Sequence, residues 1–390
     1  MAEAVPLIPG SELREQLEKS GAGHVSRCYQ CATCTSVCGL STEANPFPRK
    51  QMALAQWGLT EQLAADPAIW LCYQCADCSE RCPRDARPGD VMQGLRAATV
   101  RALSFPGFIG RLVANAKVTW PLMVLGPWLF WAALLFGMGY FPVDEERLFS
   151  AGMHDNGYGA IAPHWLLYAV FFPIAGWVTL AAWVGGARLW NMMGRGQARS
   201  GSFLSGLWAV LVDVALHRSF AGCSAKPSRR TPHFLILWGF AGAAITSALL
   251  IVAIYIQKLP MPLPLSHPYK LLGNLSAVAL VVGGAQLLIQ RYGSGRRLIS
   301  STAFDNFFLI LVAVVIGTGV ITEVARLGEW PVAAFVIYTL HLGVVMTLFL
   351  TFPYSKFAHM VYRTLALVHQ RLVLARPQAD GRGGAEATGD

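Results

Sequence analysis

Eight cysteines lie within the first quarter of this 390-residue chain, in two copies of the pattern C-x2-C-x2-C-x3-C. Two-residue spacers let three thiolates of one tight loop reach three corners of a cubane cluster, and the fourth cysteine lies too far round and ligates the other cluster. The spacing therefore predicts two [4Fe–4S] clusters. The predicted ligands are Cys28, Cys31, Cys34 and Cys82 for cluster 1, and Cys72, Cys75, Cys78 and Cys38 for cluster 2.

Structural zinc bound by C-x2-C pairs is the alternative interpretation of these cysteines. A zinc site would give no reason for the third and fourth cysteines to recur at the same spacing in both copies. Disulfides are disfavoured, because the first 20 residues contain no apolar core of signal-peptide length. We therefore expect a cytoplasmic head with reduced thiols. Pro83 follows the second motif, whereas Gly39 follows the first.

The segments around the cysteines predict helices and no strands. Residues Pro48–Leu63 place apolar side chains in an approximate helical stripe, and Pro88 opens a second helical pattern after Cys82. This arrangement resembles the iron–sulfur subunit of heterodisulfide reductase over roughly residues 20–105. The resemblance implies an α-helical ferredoxin domain, assigned here to residues 1–105, that relays electrons to partner subunits. The doubled-cysteine motifs that cleave heterodisulfides in companion subunits of that family are absent from this chain.

A sharp change in composition near residue 117 marks a second region. The whole chain is 54% hydrophobic and 14% charged, whereas soluble chains carry about 25% charged residues. Six apolar runs reach the roughly 20 residues that a helix needs to cross a membrane. After a junction at 106–117, they predict a transmembrane domain at 118–360. The predicted spans are Val118–Tyr140, His164–Leu189, His233–Gln257, Tyr269–Gln290, Ala303–Val324 and Pro331–Phe352.

Basic residues concentrate in alternate loops of this region. Residues 190–232, 291–302 and the tail are rich in Arg and Lys, whereas 141–163 is acidic. The positive-inside rule then places both termini in the cytoplasm of a bacterial or archaeal cell, and it explains the net charge of +9 without nucleic acid. Within 202–220, a short apolar stretch predicts an interfacial helix on the cytoplasmic face. Residues 361–390 are a predicted cytoplasmic tail, partly disordered by composition.

Histidines indicate what the membrane region does. A b-type haem needs two axial ligands, and histidines on facing helices are the common choice in a bundle. His341 lies deep in the last span, where a polar ring is costly; a hydrogen bond to a neighbouring helix is the alternative role. His359 follows 18 residues later. On one continuous helix the two rings face the same side, about 27 Å apart, too far to share an iron.

Residues 340–363 resemble the last helix of the gamma subunit of respiratory nitrate reductase, a membrane cytochrome b, and of the membrane cytochrome of heterodisulfide reductase. The nitrate reductase resemblance implies that His341 and His359 each ligate a haem. It maps the partner ligands, ten residues apart on an earlier helix, onto His233 and Ala243. Alanine cannot bind iron. The resemblance therefore implies one haem b on His233 and His359, with a second haem possible only if His341 finds another partner.

Several other residues leave the role of His341 open. His164 and His267 are predicted at the outer surface, where either could reach toward a haem on His341; quinone chemistry or packing are the other roles considered for His341. His217 and Cys223 are predicted as surface residues at the junction of head and membrane.

Together, a head like the iron–sulfur subunit of heterodisulfide reductase and a membrane region like its cytochrome resemble the membrane subunit of the quinone-interacting membrane-bound oxidoreductase complexes. That resemblance implies electron exchange between the quinone pool and heterodisulfide-reductase-like flavoprotein subunits of the A and B type. It also implies action with adenylylsulfate reductase in sulfur metabolism.

Quinol oxidation needs a proton acceptor near the site of electron removal. The outer half of the membrane region offers His267, Lys270 and Glu323 as quinone-site candidates, although the two charged residues also suit helix ends. Two other functions remain open: a membrane anchor that relays electrons without a quinone site, and a quinone-linked heterodisulfide-type reductase subunit of another pathway. No complete active site for a soluble substrate is recognisable.

Overall fold

A computed structural model describes residues 11–140, 157–195, 199–218, 230–293 and 302–374. Across these ranges the chain is helical and has no β-strand, which confirms the predicted all-α fold. The head helices are α1 Ser11–Lys19, α2 Thr33–Ser36, α3 Arg49–Gln56, α4 Thr60–Ala65, α5 Ala68–Leu71, α6 Asp77–Glu80 and α7 Pro88–Leu103. The helices that follow are α8 Gly107–Ala114, α9 Ala116–Gly137, α10 His164–Met193, α11 Phe203–Ala215, α12 Arg230–Tyr255, α13 Pro268–Leu288, α14 Ala303–Leu327, α15 Pro331–Thr351 and α16 Ala358–Leu374.

The helix predicted over residues 48–63 is two helices, α3 and α4, so that prediction was wrong in its continuity. Gly58 ends α3 with φ of 70°, a left-handed conformation that glycine adopts without steric cost. The N–H of Gly58 bonds to the carbonyl of Ala55, and the N–H of Leu59 bonds to that of Leu54. This pair of bonds satisfies carbonyls that a helix end leaves without partners.

Six helices of the described part of the chain are long and apolar enough to cross a membrane, as predicted. The ends of these helices lie within a few residues of the predicted spans, because helical structure continues past the apolar run at several termini. The last predicted span corresponds to α15. The fourth span, for example, ends in a π-helical turn at Gly293. The short helix α11 has only 13 residues. One face packs through Val210 against Val368, while Leu204 is 73% exposed; a position at the membrane interface suits it and remains a prediction.

The chain bends sharply after the sixth span. The sequence predicted one continuous helix carrying both His341 and His359, and this was wrong. Proline lacks an N–H donor, so it cannot make the helical hydrogen bond to the carbonyl four residues earlier. At Pro353 the chain passes through a 3₁₀ turn, Ser355 is extended, and α16 starts only at Ala358. The estimates of 27 Å and a shared face therefore do not apply to the two histidines.

Helix α16 joins the head to the membrane region through one apolar core. Trp70 and Leu103 from the head pack with Leu189 from α10 and Tyr362 from α16. The ring centroids of Trp70 and Tyr362 are 5.0 Å apart. Residues 361–374, predicted as the start of the tail, are thus helical and packed. The tail from 375 onward lies outside the described residues, and the predicted domain limits remain an interpretation.

Candidate functional site

The two cysteine motifs share the tripeptide Tyr-Gln-Cys and form the same turn. In the first motif, Gln30 and Ala32 have φ of 59° and 67°; in the second, Gln74 and Ala76 have φ of 56° and 74°. Left-handed backbone costs a residue other than glycine roughly 1–2 kcal/mol. The repetition of this costly turn indicates that both loops serve the same purpose, which is to bring closely spaced cysteines together.

The first four thiols meet across the two motifs. Cys28, Cys31 and Cys34 line one pocket at the head surface, and Cys82 from the second motif completes its ring of sulfur atoms. These are the residues assigned to cluster 1 from spacing. The crossing of Cys82 into the first loop is the arrangement expected when the fourth cysteine ligates the other cluster.

The remaining thiols form a second group. The Cys78 thiol lies within electrostatic range of Cys72, Cys75 and Cys38, and more weakly of Cys34. Cys38 also lies within range of Cys72. This neighbourhood corresponds to the residues assigned to cluster 2, with Cys38 crossing from the first motif. The backbone N–H of Gln74 donates to the Cys72 sulfur at 3.4 Å.

The geometry of the thiols bears on which metal they fit. Among the residues that the structure describes, no three His, Cys, Asp or Glu side chains come close enough to hold one metal ion. A tetrahedral zinc ion requires such an approach, with sulfur about 2.3 Å from the metal. A cubane cluster is larger and holds its ligands at separate corners. Four cysteines around one pocket offer the separate corner ligands that a cubane cluster needs.

Burial affects the charge of these thiols. It raises the pKa of Cys34, Cys38 and Cys78, because a thiolate is costly to hold away from water. By contrast, the hydrogen bond with Thr33 lowers the pKa of the exposed Cys31 thiol. Metal ligands must be deprotonated. Positively charged iron would stabilise the buried thiolates, which is consistent with a metal-binding role.

A pair of histidines lies where the head meets the membrane region. The ring centroids of His233, in the first turn of α12, and His359, in the first turn of α16, are 6.2 Å apart. A metal–imidazole bond is about 2 Å long, so two rings on opposite sides of one metal have centroids roughly 6 Å apart. The spacing fits axial ligation of one haem iron by this pair.

Each ring of the pair is held by a contact through Nδ1. His359 Nδ1 donates a hydrogen bond to the Lys356 carbonyl, and His233 Nδ1 lies 2.9 Å from Nε2 of His217. Histidines that bind metals are commonly oriented by such a bond from the other ring nitrogen. In this arrangement Nε2 is the nitrogen that each ring would offer to iron.

His217 was predicted as a surface residue, and this was wrong. The residue follows α11, is 2% exposed and contacts the His233 ring at a centroid distance of 5.1 Å. His217 follows α11, which packs against α16 through Val210 and Val368, and its ring lies beside that of His233. Cys223 lies outside the described residues.

His341 makes the interhelical contact considered as its alternative role. Its Nδ1 lies 2.9 Å from the Thr318 hydroxyl on α14, and its ring packs over Gly319. Within the part of the chain that the structure describes, no histidine ring contacts it. A role for His164 or His267 as its partner stays a prediction. Next to Ala243, Gly242 lets α12 approach Ser276 closely, a helix contact rather than a ligand position.

The quinone-site candidates lie at the start of α13 and near the end of α14. Lys270 Nζ lies 2.8 Å from Glu323, and Arg326 contacts the same carboxylate at 2.9 Å. His267 caps α13 by accepting a hydrogen bond from the Tyr269 N–H. Lys270 and Glu323 are thus one ion pair joining two spans, and their role as quinone ligands stays a prediction.

Two arginines that no sequence motif predicts hold the loop of the second cysteine motif. Arg96 on α7 donates to the carbonyls of Ile69 and Cys72. Arg363 on α16 donates to those of Trp70 and Cys72, at 2.8 and 3.0 Å. The sequence does mark Arg363 in one way, because it is a charged residue within the apolar pattern HMVYRTLALV.

Comparisons with known proteins match both regions. The family model described as 4Fe-4S dicluster domain matches residues 24–86, and the one described as Citrate utilization protein B matches residues 121–380. The head is thus a dicluster iron–sulfur domain. No solved structure matches the chain.

Curated relatives also match. One component of the H(2):CoB-CoM heterodisulfide,ferredoxin reductase of Methanothermobacter thermautotrophicus is 33% identical over 91 residues, which is 23% of this chain and 49% of that protein. The CoB–CoM heterodisulfide reductase iron-sulfur subunit of Methanopyrus kandleri is 34% identical over 87 residues, 22% of this chain and 45% of that protein. Citrate utilization protein B of Escherichia coli is 30% identical over 162 residues, 40% of this chain and 41% of that protein. The chain thus spans about half or less of the length of these relatives.

Proposed function

The chain belongs to the citrate utilization protein B family, and on that premise we propose that it is the membrane subunit of a quinone-linked oxidoreductase complex. In this proposal it relays electrons between membrane quinone and a cytoplasmic flavoprotein. The dicluster head, the resemblance of that head to the iron–sulfur subunit of heterodisulfide reductase and the six apolar helices support this assignment.

One observation carries the proposal: the His233–His359 pair lies directly beneath the cysteine-bearing head. His359 is on α16, which packs against the residues just before Cys72 through Trp70 and Tyr362. A membrane anchor alone has no need for two facing imidazoles at this junction. A chain of electron carriers running from the head into the bilayer does need ligands there.

The bound clusters and a b haem would supply one-electron carriers. The protein holds them: cysteines of the two motifs bind the clusters, and His233 and His359 bind the haem through Nε2. The Lys356 carbonyl and His217 orient the two rings. The apolar core around Trp70 and Tyr362 keeps water from the junction.

Quinone is proposed to react in the outer half of the bundle, near the Lys270–Glu323 pair. Carboxylate and imidazole groups can accept a proton when quinol is oxidised, and His267 stands at the start of the same helix as Lys270. Both termini are proposed to be cytoplasmic, which puts the head and its flavoprotein partner on the same side. By resemblance to the quinone-interacting complexes, that partner is a flavoprotein of the A and B type acting with adenylylsulfate reductase in sulfur metabolism.

A second function, an anchor that relays electrons without a quinone site, is favoured by a specific observation. The Thr318 hydroxyl forms a hydrogen bond with His341, and Lys270 forms an ion pair with Glu323. These polar groups therefore have partners without quinone. Quinone-analogue inhibitors separate the two functions. Inhibition of electron transfer supports a quinone site, and full activity at saturating inhibitor supports the anchor.

The test of the proposed function is a metal and haem count on purified full-length protein. We expect about eight cluster irons per chain, from two four-iron clusters, and one b haem with its reduced optical spectrum. Zinc in the head, or protein without haem after expression in a haem-sufficient host, contradicts the proposal.

A further inference from the structure

We propose that Arg96 and Arg363 are positioning residues that fasten the cluster-2 loop to the helix bearing His359, so that cluster 2 is the head's contact with the membrane region and cluster 1 is its outward end. The inference rests on the cluster and haem ligands of the proposed function. It adds an order to the two cluster sites, which the spacing of the cysteines leaves undetermined.

The carbonyl of Cys72 is the point where head and membrane region meet. It accepts hydrogen bonds from two guanidinium groups that approach from different domains, Arg96 from α7 and Arg363 from α16. The Arg363 guanidinium also lies 5.1 Å from the ring centroid of Tyr73, the next residue of the motif. Arginine presents several donors in a rigid fork, so the loop is fixed at more than one atom.

Arg363 connects this loop to the histidine pair. It lies four residues after His359, about one helical turn or 6 Å along α16. The charge of Arg363 acts electrostatically on both His233 and His359, and that of Arg96 acts on His359. The same two cations therefore face a cluster-2 cysteine on one side and the predicted haem ligands on the other.

The cluster-1 pocket is formed by the head alone. Every residue that lines it belongs to the head, between Cys28 and Pro88. Its rim is open to solvent: Cys31 is exposed, Tyr29 is 69% exposed, and the Arg84 guanidinium stacks 4.2 Å from the Tyr29 ring. This rim is more exposed than the cluster-2 loop, where Cys72 is buried and Tyr73 is 37% exposed, so it offers a soluble partner the easier approach.

A positive charge near a cluster favours its reduced form, since net charge and hydrogen bonding set cluster potentials. The test compares full-length protein carrying Arg363→Gln or Arg96→Gln with unsubstituted protein in redox titrations followed by electron paramagnetic resonance. Cys31→Ser and Cys75→Ser variants assign the signals of cluster 1 and cluster 2. The matched control is Arg371→Gln, which removes a charge two turns further along α16, where the side chain pairs with Asp213.

We expect each glutamine variant to lower the equilibrium constant for reduction of cluster 2 at least tenfold, about 59 mV for one electron. Cluster 1 should stay unchanged, and so should both clusters in Arg371→Gln. A shift in the reduction potential of cluster 1 alone, or no shift in the potential of either cluster, overturns the assignment. A merely structural role of the arginines would not move one cluster selectively.

A measurement on unsubstituted protein keeps the inference testable if the glutamine variants do not assemble. Oxidised low-spin haem is paramagnetic and speeds the spin relaxation of a nearby cluster. We expect the cluster-2 signal to saturate at higher microwave power when the haem is oxidised than when it is reduced, and the cluster-1 signal to change less. A larger change at cluster 1 overturns the proposed order. Protein that contains both clusters but no haem contradicts the proposed function instead, and the potentials of the variants then decide the role of the arginines.

Discussion

The ring centroids of His233 and His359 lie 6.2 Å apart with the ring planes at 73°, although 126 positions of sequence separate the two residues. Each histidine lies in the first turn of a different helix, and both helices start at the side of the bundle that carries the head. Removal of either ring should abolish haem binding, because a b haem in a helical bundle depends on both axial ligands.

The measurement for this first prediction is the dithionite-reduced optical spectrum of purified His233→Ala and His359→Ala proteins. Both should lack the b-type absorption while they keep their cluster iron. His24→Ala, in the head, is the control and should retain the haem. A full haem spectrum in both ligand variants would refute the assignment.

His217→Ala should weaken haem binding without abolishing it. His217 contacts Nδ1 of His233 at 2.9 Å, and loss of such an orienting partner typically costs 10- to 100-fold in metal affinity. Haem retention during dilution or competition with a haem-binding protein reports the effect. His217→Gln, which keeps a hydrogen-bonding group, should recover part of the loss; equal retention in His217→Ala and unsubstituted protein counts against an orienting role.

Cys82→Ser should damage cluster 1, although Cys82 belongs to the second motif, because its thiol lies in the pocket of Cys28, Cys31 and Cys34. The change in the cluster-1 electron paramagnetic resonance signal of Cys82→Ser should match the change seen in Cys31→Ser. The control is Cys223→Ser, which lies outside both motifs and should leave both signals intact. A change that matches Cys75→Ser would show that the motifs do not exchange their fourth ligands.

The crossing of the cysteines and the six long helices were predictable because both follow from local patterns. Spacing fixes which thiols can share a cluster, and run length fixes what can cross a bilayer. The break at Pro353 was also predictable, since proline rarely continues a helix. It was missed because the resemblance to the last helix of a membrane cytochrome implied a continuous helix.

The contacts of His217, Arg96 and Arg363 could not be read from the sequence. His217 is buried because α11 packs against α16 and brings the residue beside His233. The two arginines meet at the Cys72 carbonyl from elements 267 positions apart. Such meetings depend on tertiary packing, and neither periodicity nor spacing carries that information.

Asp305→Asn should lower the stability of the junction between head and membrane region. Asp305 is 3% exposed and accepts contacts from Gln93 of the head and from Lys356, which precedes α16. Removing one partner of a buried ion pair costs up to 3–5 kcal/mol; the partial exposure of Lys356 reduces the expected loss to roughly 1–3 kcal/mol.

Thermal unfolding in detergent measures this loss. Lys356→Gln and the double variant complete a double-mutant cycle, which isolates the interaction between the two side chains. The double variant should be less destabilised than the sum of the single variants. Strict additivity would mean that Asp305 and Lys356 do not stabilise each other.

Glu323→Gln should slow quinol-driven reduction of the haem by roughly 100-fold, a typical loss when a group that accepts a proton is removed. The carboxylate bridges Lys270 and Arg326, so haem reduction by dithionite serves to show that the protein remains assembled. Glu329→Gln, near the same end of α14, is the control. A Glu323→Gln protein with an unchanged quinol rate favours the anchor function.

The most direct test of the relay is the optical response of the haem in anaerobic purified protein to two electron donors, membrane quinol and the chemically reduced head clusters. The account predicts that either donor produces the reduced b-type spectrum, and that His233→Ala produces it with neither. A haem spectrum that ignores both donors would contradict the account.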